Sequence, residues 1–547
     1  MKHLRRLCRA APPWAVLLTI AALAAGINAV LVSLNPPVPR VHDEFSYLLA
    51  ADTFASGRLT NPTHTHWPHF ETMHVIQKPS YQAKYPPGQA VLLAAGQRLL
   101  GDPIAGVCLA TGLCAAASVW MLRAFAPPVW AAIGGLLVAL HAGIQLQWGM
   151  CFWGGALAMA AGSLVVGGAA RLARRHAPLA GAASAFAAGA VGLAVTRPFE
   201  GFISVCMAAV VVAGVWITRG GPTWRAVAVG VIAPAGLIGA VGLGLIGTYN
   251  AAVTGTPLKM PYMVYERDYG VTPIFVWQQP NLEQRYLNPV LERFNYAAAM
   301  WSYRQQQTWQ GLLTMKTWFS RCVLEFFFQA PVALALLAAG WVRRRWLLPW
   351  LAVALTTWAA ACMTVWMFPH YLAPVAPVLL LLTVTGLRTF RTLERRLPPG
   401  RRWLTPTLLA AQAALFAAAA YDQVDASRTT WAHGRHAFEQ QLLSTPGEDL
   451  VMVRYRPDHN VHDEWVYNRA DIDNAPVVWA RELNAESDCR LIDYFAGRRV
   501  WLMLADERPL RLMPYPGPPR EAPSPDAATG PSRGLATAGA GLGRAAE

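Results

Sequence analysis

Runs of about twenty apolar residues, parted by short polar stretches, set the frame of this chain. A run of that length, coiled as a helix, spans the ~30 Å hydrocarbon core of a bilayer. The first covers about 13–34. A long polar stretch follows, 35–88. The apolar piece 89–100 is short and fits the membrane interface better than a span. Further spans are predicted at about 103–122, 128–144, 152–170, 179–195, 202–217 and 226–246. A second long polar stretch, from about 248 to 321, is rich in Tyr, Gln, Pro and Trp. Beyond it one span reaches Arg343-Arg344-Arg345, another covers 347–367, a third returns to the basic loop 388–402, and the last covers 404–420. The pattern predicts about eleven transmembrane helices within residues 1–421, with outer loops at about 35–102 and 248–321.

The periodicity then changes. Short β-rich runs at 450–454, 477–480 and 500–504 flank a helix at 488–496, with Ser487 as its cap and Gly497 as its end. Residues 422–512 are expected to form a small α/β domain outside the membrane that folds independently as an accessory. From 513 to 547 the Pro/Gly/Ala/Ser-rich composition predicts a disordered tail. The fold class is an α-helical polytopic membrane protein with a C-terminal extracytoplasmic α/β domain.

Composition agrees with this frame. Of 547 residues 54% are hydrophobic and 14% charged, with a mean hydropathy of +0.29. The net charge of +15 invites a nucleic-acid reading, but the basic clusters decide against it. Lys2–Arg9, Arg171 with Arg174 and Arg175, Arg343–Arg345 and the 388–402 loop all fall on one side of the membrane. That is positive-inside topology, so no nucleic-acid partner is expected. It puts the N-terminus in the cytoplasm and both long loops and the C-terminal domain outside, in a bacterial-type cytoplasmic (inner) membrane. The eight Cys show no disulfide framework and no CxxC metal pair. The first span is long for a signal peptide and lacks a clear cleavage site, so it is read as uncleaved.

Candidate chemistry lies in the outer loops. Ionisable residues are scarce within the spans, which counts against a proton-coupled pump. His42-Asp43-Glu44-Phe45-Ser46-Tyr47 opens the first loop and sets two carboxylates where a helix meets water. Lys84-Tyr85-Pro86-Pro87-Gly88 closes the loop and places a cation at headgroup depth. Lys84 can pair with a phosphate there, and by itself it also fits an ordinary snorkelling lysine.

Asp-Glu-x-x-Tyr after the first helix, an Ala-rich segment ending in Ser56-Gly57, and Lys-x-Pro-Pro before the next apolar segment resemble the GT-C membrane glycosyltransferases. The branch with protein O-mannosyltransferases, the lipid A aminoarabinose transferase and lipopolysaccharide-core transferases, family 39-like, is the most similar. Phe368-Pro369-His370-Tyr371-Leu372-Ala373-Pro374 resembles that branch's Arg-Tyr-Leu-x-Pro element, with His370 where Arg usually stands. Lys-Tyr-Pro-Pro-Gly likewise departs from the commoner Lys-Pro-Pro-Leu. The resemblance covers the membrane part, to about Arg402. It implies a polyprenyl-phosphate sugar donor, an acceptor (glycan, lipid or protein) presented outside, and inverting transfer. Asp43 matches the family's essential acid and is the candidate base. Glu44 would bind acceptor or metal. Tyr47, Lys84, Arg197, His370 and Tyr371 would bind substrate.

Other features carry less. His64 and His66 have an H-x-H spacing that can hold a divalent metal ion, and equally suit imidazoles bonding water and headgroups. Arg197 and Glu200 flank a short outer loop and can pair with each other. Tyr262, Tyr265, Tyr269, Trp277 and Tyr286 can stack on sugars or form an interfacial belt. His462-Asp463-Glu464-Trp465-Val466-Tyr467 echoes His42–Tyr47, and its place in the soluble domain marks it as coincidence, away from any lipid donor. Two other functions fit the same frame: a glycan ligase with a polyprenyl-diphosphate donor, and a non-enzymatic flippase of lipid-linked glycans. A flippase needs polar residues lining a path through the spans, and those are few.

Overall fold

The structure, a computed structural model, describes residues 12–174, 178–329, 333–334, 345–398, 402–425 and 430–517. The Lys2–Arg9 cluster, Arg175, Arg343-Arg344, most of the predicted eighth span and the tail from 518 lie outside the described residues.

Among the described residues six helices are long and apolar enough to cross a membrane. They are α1 (Pro13–Leu34), α4 (Ile104–Leu122), α8 (Pro198–Arg219), α9 (Trp224–Thr254), α13 (Ala376–Glu394) and α14 (Leu404–Asp425). The predicted 128–144 span is α5 (Pro128–Ala139), bent by 42° into the segment Gly143–Met150. Counted as one span, the bent pair makes seven. The predicted spans at 152–170, 179–195 and 347–367 are the shorter helices α6 (Ala156–Leu172), α7 (Leu179–Ala194) and α12 (Leu348–Cys362).

Small residues let these helices approach closely, as helices do where lipid supplies no hydrophobic drive between them. A side chain at Gly189 of α7 would stand 2.6 Å from the Ala161 carbonyl of α6. α9 keeps most of its surface clear of the rest of the chain, so its many exposed Leu, Ile and Val side chains suit contact with lipid.

The first outer loop is more ordered than its polarity suggests. Asp43 and Glu44 open a 14-residue helix, α2 (His42–Ala55). Both acids lie in its first turn, where the helix dipole favours them. Glu44 reaches back over the helix start: its carboxylate accepts from the backbone N–H groups of Arg40 (2.7 Å) and Val41 (3.2 Å). A two-residue ribbon, β1 (Val75–Ile76) with β2 (Gln82–Ala83), follows. α3 (Gly88–Leu100) ends at Gly101 in the left-handed conformation. Its 13 residues rise about 20 Å, too little to span.

The C-terminal domain is a four-stranded sheet ordered β4-β3-β5-β6, with β3 (Asp449–Arg454), β4 (Val477–Arg481), β5 (Arg499–Leu504) and β6 (Arg511–Pro514). β3 runs parallel to β4 and β5, and β6 is antiparallel. Helices α15 (Trp431–Leu443) and α16 (Ala485–Tyr494) complete it. α15 and β6 were not expected, and β6 reaches into the stretch predicted as tail. The sequence-predicted cap also shifts. Asn484, not Ser487, caps α16, its side chain accepting from the Ser487 N–H at 3.0 Å.

The domain does not stand apart. Phe45 and Leu49 of α2, with Phe70, Val75 and Tyr81, share one buried core with Leu450, Met452, Tyr467, Val478 and Leu491. The domain expected to fold by itself as an accessory thus shares part of its core with the first outer loop. Ending the chain at Asp422 uncovers the loop half of this core, at about 1.5–3 kcal/mol for each large apolar side chain. The shortened chain should aggregate on size-exclusion chromatography in detergent. A monodisperse peak with unchanged melting temperature would contradict the shared core.

Glu71 is buried in the same junction, near Arg481 of β4. Burial pushes its carboxyl from 4.5 up to about 7, against the opposing pull of Arg481. The folded chain therefore holds a proton that the unfolded chain has lost, between about 4.5 and about 7. Thermal stability should fall as pH rises through that window, by about 3 kcal/mol at most, and level off above it. Glu71→Gln should flatten that part of the slope in melts run from pH 5 to 8. An unchanged slope would show that Glu71 does not titrate there.

Candidate active site

A cavity of about 1050 Å³ opens between the outer ends of the membrane helices, both long loops and the C-terminal domain. Six of the sequence-predicted site residues line it: Asp43, Tyr47, Lys84, Arg197, His370 and Tyr371. They come from four separate stretches of chain.

Asp43 projects from the first turn of α2 and is half-buried. The Tyr85 hydroxyl donates a short hydrogen bond to its Oδ1. Tyr85 stacks on Tyr47, with ring centroids 4.8 Å apart and planes 13° apart. Burial, then Asp43, pushes the Tyr85 phenol well above its ordinary range. Tyr85 therefore stays protonated and remains a donor, which fixes the orientation of the carboxylate.

Lys84 is 6% exposed and ion-paired at 3.1 Å with Glu266 on α10 (Pro261–Asp268). The rings of Tyr85, Tyr262 and Tyr265 surround its ammonium at 5.3, 5.0 and 4.4 Å. Arg197 differs. Its guanidinium lies 4.8 Å over the Tyr371 ring, and among the described residues no carboxylate, Glu200 included, comes within ion-pair distance of it.

Gly88 joins the end of the first outer loop to the segment before Arg197. Its N–H donates to the Val195 carbonyl at 2.8 Å, and a Cβ there would stand 2.7 Å from that oxygen. The glycine that departs from the commoner Lys-Pro-Pro-Leu is the residue that admits the Arg197 loop. His370 stacks on Phe368 at 5.8 Å and lies 5.6 Å from Trp153. Burial, then Arg197, holds its imidazole well below the ordinary range. It is neutral, and the guanidinium beside Tyr371 comes from Arg197.

Three expected site residues lie elsewhere. Both oxygens of Glu44 are engaged by backbone, Oε2 by Arg40 and Val41 and Oε1 by the Phe152 N–H at 3.1 Å. Glu44 therefore fastens α2 to the segment after the bent helix and does not reach the cavity. His64 and His66 sit against α16. His64 Nδ1 accepts from the His66 N–H at 2.9 Å, and its Nε2 is 3.1 Å from Asp473. Among the described residues no three His, Cys, Asp or Glu side chains converge to hold a metal ion. His64, with one ring nitrogen bonded to the His66 N–H and the other beside Asp473, belongs to no such set.

Tyr85 and Glu266 were missed as site residues, although Tyr85 stands inside the Lys-x-Pro-Pro element. The supposed coincidence at His462 is also corrected. His462 and Asp463 line the cavity, and His462 stacks on His42 at 5.8 Å with planes 24° apart. The echo places matching residues on opposite sides of one junction.

No family model matches the chain, and no curated protein matches it. Solved structures do, two of ArnT among them. ArnT from Cupriavidus metallidurans in the apo state aligns over 90% of this chain and 92% of its own, at 16% identity and a TM-score of 0.52. The same protein bound to undecaprenyl phosphate aligns over 90% and 93%, at 16% identity and a TM-score of 0.50. The likeness is one of fold: this chain shares the overall fold of ArnT.

Proposed function

We propose that this chain, built on the fold of the GT-C membrane glycosyltransferases, is itself an inverting glycosyltransferase. It moves a sugar from a polyprenyl-phosphate donor to an acceptor hydroxyl on the extracytoplasmic face. The observation that carries this reading is one cavity holding both an oriented carboxylate, Asp43, and a guanidinium, Arg197, that has no carboxylate partner among the described residues.

Asp43 takes the proton of the acceptor hydroxyl as that oxygen attacks the anomeric carbon. The bond from that carbon to the phosphate oxygen breaks, and the electron pair leaves with the lipid phosphate. Arg197 stabilises the developing charge, and Lys84 on the same cavity wall adds to it. A single displacement of this kind inverts the anomeric centre. The apolar wall of Phe202, Ile246 and Met263 suits the first isoprene units of the donor, and undecaprenyl phosphate is the ligand of the ArnT structure that shares this fold.

The test is to incubate the purified full chain with undecaprenyl-phosphate sugars and candidate acceptors, read by mass spectrometry. Release of undecaprenyl phosphate together with a glycosylated acceptor is expected. Passage of the intact lipid-linked sugar across proteoliposomes, with no bond broken, would favour the flippase instead. Activity confined to diphosphate donors would favour the ligase.

A further inference from the structure

The end of the cavity beneath the C-terminal domain has its own chemistry. His42 stands at its centre, its Nδ1 2.8 Å from the Tyr467 hydroxyl. Its ring lies 5.8 Å from His462, 5.9 Å from His74 and 5.1 Å from Phe294. His42 Nε2 and His74 Nδ1 are buried without a hydrogen-bond partner. Buried polar atoms are rarely left so, and each such exception needs a reason.

His74 adds a second sign. Its φ of 63° is in the left-handed region, which costs a non-glycine residue of order 1 kcal/mol or more. Three hydrogen bonds keep it there. Its N–H donates to the Tyr265 hydroxyl at 2.9 Å, and its carbonyl accepts from Ser46 Oγ at 2.7 Å and the Lys84 N–H at 3.1 Å. Strain sustained by its surroundings in this way gathers at ligand sites.

These groups do not suit an anion. Burial holds His42 at about 3 and His74 well below its ordinary range, and it lowers His462 as well. Neutral imidazoles each offer one donor and one acceptor, which matches a hydroxyl. The Asp463 carboxylate accepts from hydroxyls and repels phosphate. Phe294 and Trp431, also on the wall, give the apolar faces on which a sugar ring rests. Tyr85, whose hydroxyl bonds Asp43, has its ring 5.7 Å from that of His74, so a hydroxyl seated here is near the proposed base.

We infer that His42, His74, His462 and Asp463 form a saccharide subsite for the acceptor, built jointly by the first outer loop and the C-terminal domain. The inference rests on the glycosyltransferase reading. It adds that the acceptor's reacting end is a neutral sugar.

The test uses the full chain in detergent with two probes, undecaprenyl phosphate and a panel of neutral methyl hexopyranosides followed by saturation-transfer NMR. At least one glycoside should bind, undiminished when undecaprenyl phosphate is saturating. His462→Ala and Asp463→Asn should each weaken it about tenfold and leave undecaprenyl phosphate affinity unchanged. His462 is exposed at the cavity wall, so its loss spares the core. His74→Gly removes an imidazole while relieving the left-handed strain. It should lose glycoside binding without loss of melting temperature, which a purely structural role would not produce. Absence of glycoside binding, binding indifferent to these substitutions, or competition between the two probes would each overturn the subsite. Failure of undecaprenyl phosphate to bind the unaltered chain would instead sink the glycosyltransferase reading.

Discussion

Asp43→Asn is expected to cut turnover by about 10²-fold or more while undecaprenyl phosphate still binds. Asparagine keeps the size of the side chain and can still take the Tyr85 hydrogen bond. It loses only the capacity to accept a proton from the acceptor, so the loss should fall on kcat and spare donor binding. Tyr85→Phe separates orientation from basicity. The carboxylate remains but loses the donor that holds it, and a hydrogen bond to a charged group is worth about 1.5–3 kcal/mol. Turnover should therefore fall by about tenfold with the carboxylate still in place. Steady-state kinetics with both variants would check this. Near-normal turnover in Asp43→Asn would remove the base from the mechanism.

Arg197→Ala should lower kcat/KM by about 10²–10³-fold and weaken undecaprenyl phosphate binding as well. The reason is the distribution of charge around the cavity. His370 is neutral and Lys84 is already paired with Glu266. Among the described residues Arg197, like the exposed Arg40 on the same wall, has no carboxylate at ion-pair distance, so a lipid phosphate meets it without first displacing one. Arg197→Lys should restore part of the activity, because charge returns but the two-pronged fork does not. Lys84→Ala should act differently. It leaves Glu266 without its partner, so a fall in thermal stability should accompany any loss of activity, and Glu266→Gln in the same chain should recover stability. Binding of undecaprenyl phosphate and thermal melts, measured on all four variants, tell the two cations apart. Full binding by Arg197→Ala would pass the phosphate to Lys84.

Much of this was legible along the chain. Apolar runs located the membrane helices because burial in lipid needs local, continuous hydrophobicity. The motif residues Asp43, Lys84 and Tyr371 could be picked out because the GT-C likeness attaches to short stretches. The misreadings share one cause. Glu44 stands next to Asp43 in sequence, but the helix that starts at His42 turns successive side chains to different faces. One carboxylate therefore enters the cavity, while the other takes three backbone N–H groups.

Sequence by itself determined the membrane class, the order of helices, the presence of a small β-containing C-terminal domain and candidate side chains such as Asp43 and Lys84. Each of these is written in local composition, periodicity or motif. Tertiary structure decided which residues meet. Lys84 finds Glu266 across 182 positions, Arg197 finds Tyr371, and His42 finds His462 and Tyr467 across the domain junction. It also decided that the C-terminal domain closes the cavity instead of standing apart, since Phe45, Phe70 and Tyr81 share one core with its sheet. No local pattern encodes such pairings. They follow from packing between segments far apart in the chain, which fixes charge, burial and partners only once the whole chain has folded.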